Sequence, residues 1–465
     1  MQFKPYQPNQ AFLLPPSYTQ FLGESHQAVI LQELIQSISA KKLLKSYRNQ
    51  HGGSSAYHPV MLLTILVYGY MNGIFSSRKM AKLLRQDLAF MYLAGNLIPD
   101  FRTISLFRKQ KGIYIENIFK NIVNKAQQLG LISFNVCSLD GTKIYANANK
   151  QKNTTQEDLE ARIRKIMEEA ESIDKLEDEL YGDEEDDQDP ELKTKAGRLK
   201  RQQDLEKKLK KEKKHLKKLV SLNSESNKIR TNLTDSDSKL MQMKHKDYAN
   251  GYNVQIITEN GVILSNTIFN NSADQATLIP SMDELRKNYP NPKILLADKG
   301  YSTVDNYAYC EQNGIDAYIP IYNKQVDIKD YVYDEQKDTY TNKMGQVYVF
   351  KQHMNKIKEQ DQKKHERSNY KQTIYQYLDK TTNKKSYLSI NLVWQDHLQK
   401  QEEKFSTSKG KQLYKQRMHD VEGVFANIKK NLGFTSFNLR GFTGVKAEWT
   451  LISLAHNLKK LMAFS

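Results

Sequence analysis

Between Ser25 and about Lys125 the apolar residues recur three and four apart. VILQELIQSI, HPVMLLTILVYGYMNG, SRKMAKLLRQDLAFMYLAG and FRTISLFRKQ each put one apolar face on a helical repeat. Pro59 stands where a first-turn proline is tolerated. Asn72-Gly73, Gly95-Asn96 and Pro99-Asp100 mark breaks. The pattern predicts an all-α region of four to six short helices, an N-terminal domain over residues 1–130.

The period changes near Ser133. FNVCSLD reads as a short buried strand ending on Asp140, and KILLAD as another ending on Asp298. GYNVQIITENGVILSNTIFN predicts a hairpin about Asn260-Gly261, a pair suited to positive φ. SADQATLIPSMDELRKN and TVDNYAYCEQNG are helical, and IDAYIP is a further strand. Strands alternating with helices predict an α/β (α+β) domain over 131–465 with part of its sheet parallel. Two insertions interrupt it. Over 151–230, Leu159, Ile163, Ile166, Ala170, Ile173, Leu176 and Leu180 follow a near-heptad seam on an acidic arm. Leu205, Leu209, Leu216 and Leu219 mark a stripe on a lysine-rich one. Joined by GDEEDDQDP, the two arms should fold back as an antiparallel, coiled-coil-like helical hairpin. The other insertion, 322–405, is polar and weakly patterned, with a possible β-hairpin in YVYDEQKDTYTNKMGQVYVF.

Charge narrows the partner. The 465 residues hold 70 Lys and Arg against 53 Asp and Glu, a formal charge of +17. That surplus favours a polyanion, nucleic acid before a membrane surface. No apolar run nears the roughly 20 residues that span a bilayer, and no secretory signal is evident. Cys137 and Cys310 make neither a disulfide framework nor a zinc cluster. An intracellular, cytoplasmic, nucleoid-associated protein is expected.

Within this basic chain three carboxylates stand out. Asp140 and Asp298 end strands, and Glu422 lies in YKQRMHDVEGVFANIKKNLGF, which reads as an amphipathic helix. Ligands gather at the carboxyl edge of α/β sheets. Carboxylates collected there suit Mg²⁺ or Mn²⁺, two of which clamp the oxygens of an in-line phosphoryl transfer. Taken singly, an aspartate after a strand is more often a turn former or helix cap, as Asp87, Asp100, Asp235, Asp237 and Asp274 read equally well.

DGTK, GYNVQ, ADKGYS and R-x3-VEGVFANIKKNLGFTSFNLRGF, in that order, resemble the DDE transposases of bacterial insertion sequences. The closer likeness is to those with a helical N-terminal domain and a Tyr-Arg-Glu-Lys signature. YHPVMLLTILVYGYMNGIFSSRKMAKLLRQDLAFMYLAG is similar to that family's N-terminal domain. The likeness covers roughly 45–320 and 405–463. It implies an RNase H-like catalytic domain with a mixed five-stranded sheet. The catalytic, metal-holding residues would be Asp140, Asp298 and Glu422, and the signature would continue in Tyr414, Arg417 and Lys429. One spacing departs. Four residues separate Arg417 from Glu422 instead of three, which on a regular helix swings them about 140° apart rather than about 40°. Either the helix begins after Arg417, or Lys415 or His419 shares its role.

The resemblance implies a transposase that binds terminal inverted repeats. With two Mg²⁺ or Mn²⁺ ions it would cleave DNA and join the freed 3′ end to target DNA, acting as a homodimer or larger assembly. An inactive DNA-binding descendant and a non-transposing nuclease of the same fold are the alternatives. Beside Asp298, Lys299 and Tyr301 either touch a phosphate or shape the turn. FRTISLFRK, with Arg102 and Arg108, is either the second helix of a DNA-reading helix-turn-helix or a solvated basic face.

Overall fold

The structure is a computed structural model describing residues 17–47, 55–179, 195–222, 230–243, 247–321, 330–355, 371–379 and 384–464. Helices fill the first part: Tyr18–Leu22, Gln27–Ser37, Lys41–Lys45, Pro59–Met71, Ser77–Leu83, Leu88–Ala94, Phe101–Gln110 and Gly112–Gln128. They outnumber the expected four to six because SRKMAKLLRQDLAFMYLAG is two helices and because Tyr18–Leu22, Lys41–Lys45 and Gly112–Gln128 form outside the patterned segments. Asp87 ends the connection between the two helices of SRKMAKLLRQDLAFMYLAG by accepting from Phe90 N at 3.0 Å, which caps the second. Pro59 opens its helix as expected.

The central sheet is built on β1 (Val136–Tyr145). Short strands β2 (Asn153–Thr154) and β3 (Thr231–Asn232) pair with each other at the foot of the hairpin insertion. The sheet continues with β4 (Lys239–Gln242), β5 (Tyr248–Glu259), β6 (Val262–Phe269), β7 (Ile294–Ala297) and β8 (Asp316–Tyr318). β5 runs antiparallel to β1, while β7 lies parallel to β1 and β8 parallel to β7. On its far side β5 pairs β6 through the Asn260-Gly261 turn, where both residues have positive φ. The order β6-β5-β1-β7-β8 is RNase H-like. β4 is a sixth strand, pairing the length of β5 that outruns β6.

Helix Phe442–Met462 is the structural axis. It packs on β6, on Gly112–Gln128 and on Pro59–Met71, and Trp449, Leu451, Ile452, Leu454 and Leu458 are fully buried. One hydrophobic core therefore runs from Ala28 to Leu461 without a break at the end of the N-terminal helices.

Helices Gln156–Glu179 and Lys195–Leu222 pack together, with Leu159, Ile163, Ile173, Leu205 and Leu219 buried. The GDEEDDQDP linker lies outside the described residues. Beyond β8, the expected small hairpin is part of a five-stranded antiparallel sheet: β9 (Tyr331–Asp334), β10 (Thr339–Asn342), β11 (Val347–Asn355), β12 (Lys371–Leu378) and β13 (Lys385–Ile390). Its small core is largely tyrosine (Tyr340, Tyr348 and Tyr375 with Leu388 and Ile390), so an apolar alternation could not reveal it.

Candidate active site

Asp140 does not end its strand. β1 continues to Tyr145 because β5 is long enough to pair every residue from Ser138 to Tyr145. What ends beside Asp140 is the parallel neighbour, whose last pair is Leu139 with Ala297. Asp140 and Asp298 are thus the next residue on two adjacent strands, which lie about 4.8 Å apart. Asp298 then turns the chain: its Oδ1 accepts from Gly300 N, opening the turn Lys299–Tyr301. A Cβ on Gly300 would stand 2.7 Å from that oxygen, so the turn needs glycine for space.

Another carboxylate lies in the neighbourhood, without converging on them. Asp274, in the turn Asp274–Ala276, accepts at Oδ1 from Asn253 Nδ2 at 2.7 Å and Gln255 Nε2 at 2.9 Å. Both amides are buried on β5, and Gln255 in turn accepts from the Tyr301 hydroxyl. The Oδ2 atoms of Asp274 and Asp298 accept no hydrogen bond from a described residue. Burial, then the charges of Asp298 and Asp274, raise the Asp140 carboxyl from 3.8 to about 6 against the pull of Arg417 and the Gly141 N–H.

The helical strip from Ser408 to Asn431 lies across this edge. Arg417 is buried and pairs with Asp140, Nη2 to Oδ2 at 2.9 Å, while its Nε finds no partner. Ser138 donates to Asp420 at 3.3 Å, and Lys429 donates to Thr142 Oγ1 at 2.6 Å and Lys143 O at 3.0 Å. Ser138, Asp140 and Thr142 share one face of β1 by its period of two, so the strip docks along that face.

The extra residue between Arg417 and Glu422 is absorbed in a π turn, Met418–Glu422. There residue i bonds to i+5, so Arg417 and Glu422 stack as an i, i+4 pair would in an α-helix. The first alternative raised by the spacing, a helix beginning after Arg417, does not apply. The helix Ser408–Arg417 runs directly into the turn, and Arg417 itself reaches Asp140 while Lys415 and His419 are exposed. Glu422 is exposed, without a hydrogen bond or ion pair to any described residue. Among the described residues no three Asp, Glu, His or Cys side chains converge closely enough to hold a metal ion. The structure sets Asp140 beside Asp298, with Asp274 in the neighbourhood, and leaves Glu422 at the rim.

Two expected DNA contacts are corrected. Arg108 is buried: Nη1 donates to Tyr70 Oη at 2.9 Å and Phe75 O at 2.8 Å, and lies 3.6 Å from Glu448 Oε1. It sits four residues after buried Ile104, a signal that it belonged to the apolar face. Tyr301 is fully buried on Gln255 and shapes the turn. Arg102 and Lys299 are exposed; Arg102 and Arg78 flank the Phe101 ring at 5.6 and 5.0 Å. Tyr414 is half-buried, its ring edge-on to Phe405.

A mixed sheet in the order β6-β5-β1-β7-β8, with an aspartate on each central strand just past their last parallel pair, is the arrangement of an RNase H-like domain. The chain matches the family model described as transposase DDE domain over residues 224–458, and a second, described as transposase domain (DUF772), over residues 16–110. It belongs to the DDE transposases of insertion sequences and is a DNA transposase, of a family that uses divalent metal ions. Asp298 and Glu422 fall inside the longer match and Asp140 outside it. No curated protein matches the chain. Among the described residues no helix is long and apolar enough to cross a membrane.

Proposed function

We propose that this transposase binds the terminal inverted repeats of its element, cleaves the phosphodiester at each end and joins the freed 3′-hydroxyl to target DNA. The observation that carries the reading is the placement of Asp140 and Asp298 side by side past the last parallel pair. The oxygen-only donors there, with uncommitted Oδ2 atoms on Asp298 and Asp274, suit Mg²⁺ or Mn²⁺. Asp140 and Asp298 would hold two such ions, and Glu422 would complete the set by a closing movement of its turn toward the sheet. When bound, the ions supply charge neutralisation and an activated water or 3′-hydroxyl.

The protein's own part is positioning. Arg417, anchored on Asp140 through Nη2, would lend its charge to a phosphate at this edge, and Lys429 fixes the strip on β1. Lys299 and Tyr414 border the same edge, and Arg102 is one exposed cation of an N-terminal domain, residues 1–130, that would read the repeats. Holding two ends together requires a homodimer or a larger assembly.

The test is a cleavage and strand-transfer assay on the element's own ends with Mg²⁺. Wild-type protein should give both products, and Asp298→Asn should bind the ends yet cleave neither. Cleavage by Asp298→Asn would overturn the site. Cleavage without joining would identify a nuclease, and binding alone an inactive descendant.

A further inference from the structure

The hairpin insertion is strongly polarised. Helix Lys195–Leu222 carries twelve Lys and Arg against three Asp and Glu, while Gln156–Glu179 carries four against ten. The buried leucines, Leu205 and Leu219, set the seam. At 100° per residue Lys200, Lys207, Lys210, Lys211, Lys214 and Lys217 point away from it, and all six are exposed. Their ion pairs are weak and within the helix: Lys207 with Asp204 and Lys210 with Glu206, each at 3.7 Å. A firm cross-hairpin pair, Arg201 Nε to Glu169 Oε1 at 3.0 Å, lies near the start of the basic helix and does not involve this row.

The hairpin is also not a loose arm at its foot. Asn232 Nδ2 donates to Asn149 O at 2.8 Å and Asn153 Oδ1 at 3.1 Å, and Asn153 Nδ2 donates to Asn250 Oδ1 on β5 at 2.7 Å. This foot follows directly from β1, whose last residue lies five positions, about 17 Å, beyond Asp140. A rigid base aims a basic rod from the strand that carries a catalytic residue.

We propose that the outer face of helix Lys195–Leu222 is a sequence-independent duplex-DNA surface, seating flanking or target DNA by its phosphates. The partner follows from the chemistry. Twenty-eight residues span about 42 Å, close to a dozen base pairs. The face offers flexible ammonium groups, which bind phosphates as point charges and read no bases. A second copy of the chain is the competing occupant, since an acidic helix lies on each hairpin. The acidic helix is already committed to its own partner through the seam, which favours DNA.

The inference rests on the reading of the chain as a DNA enzyme, and its test separates the two. The full-length protein carrying Lys207→Gln, Lys210→Gln, Lys211→Gln and Lys214→Gln is titrated with a duplex lacking the element's ends, across a range of salt. Affinity at 100 mM salt should fall at least tenfold, and the slope of log K against log salt should shrink by about 3–4, near 0.9 per phosphate contact. The corresponding Lys→Arg variant should keep both. Unchanged affinity and slope would overturn the proposal. So would a change of oligomeric state in sedimentation with DNA binding intact, which would assign the face to a second copy. If wild-type protein bound no duplex at all, the reading as a transposase would be what fails.

Discussion

Arg108 offers a sharp test, because sequence and structure give it opposite roles. Its guanidinium is enclosed with the Glu448 carboxylate, which is fully buried and accepts from Tyr70 Oη (2.8 Å), Asn438 Nδ2, Asn438 N and Leu439 N (each 2.9 Å). Replacing Glu448 with Gln turns one acceptor into a donor. Either two backbone N–H groups or the Tyr70 and Asn438 donors are left facing another donor, and Arg108 becomes a buried charge without a counter-charge. Breaking such a pair costs about 3–5 kcal/mol. Arg108→Met should cost a similar amount through the abandoned Glu448 charge and the lost donor to Phe75 O. The double variant should cost clearly less than the two singles added, by 1 kcal/mol or more, because the second change removes the orphan left by the first. Urea unfolding followed by tryptophan fluorescence reads this directly, since Trp449 neighbours Glu448 on the same buried helix. Binding of end DNA by the folded fraction should be unchanged for Arg108→Met. If Arg108→Met unfolds within about 1 kcal/mol of wild type and instead weakens DNA binding, the buried assignment is wrong.

Two further outcomes follow from the site. Asp140 holds its proton up to about pH 6 in the fold but only to about 3.8 when unfolded, so the folded state binds the proton more tightly. Metal-free protein should therefore lose stability as pH rises from about 4 through 6, on the order of 3 kcal/mol in all, and stay level above. Thermal unfolding in chelator should show this slope in wild type and lack it in Asp140→Asn; equal slopes would sink the argument. The π turn predicts that deleting exposed His419 is tolerated, since an ordinary α-turn then stacks Arg417 and Glu422 at i, i+4. Cleavage should remain within a few-fold of wild type, whereas a folded but inactive deletion variant would show that the extra residue is required.

Much of this fold is written in local patterns, and what escaped was set by partners distant in sequence. Asp298 was visible because an apolar run delivered it to a turn, and the β5–β6 hairpin because Asn260-Gly261 accepts positive φ. The adjacency of Asp140 and Asp298 depends on the register Leu139 with Ala297, across more than a hundred residues, which neither strand encodes alone. Asp274 read as a turn former, and it does open a turn. Its carboxylate gains a second use only because Asn253 and Gln255 arrive on β5 to orient it.

The Arg417–Glu422 spacing teaches a different lesson. An angular argument is only as good as the helical period it assumes, and one π turn moves the answer by a full residue. The turn persists because both flanks are pinned: Arg417 to Asp140 on one side, Val421, Val424 and Ile428 in the core on the other. With the core face and the ion pair both held, the surplus residue has nowhere to go but into a widened turn. That turn places Glu422 outside the Asp140–Asp298 pair, on a stretch of the strip whose hydrogen bonding can tighten by a residue. The same irregularity that hides the signature from a sequence pattern is therefore where any movement of Glu422 toward the sheet would begin.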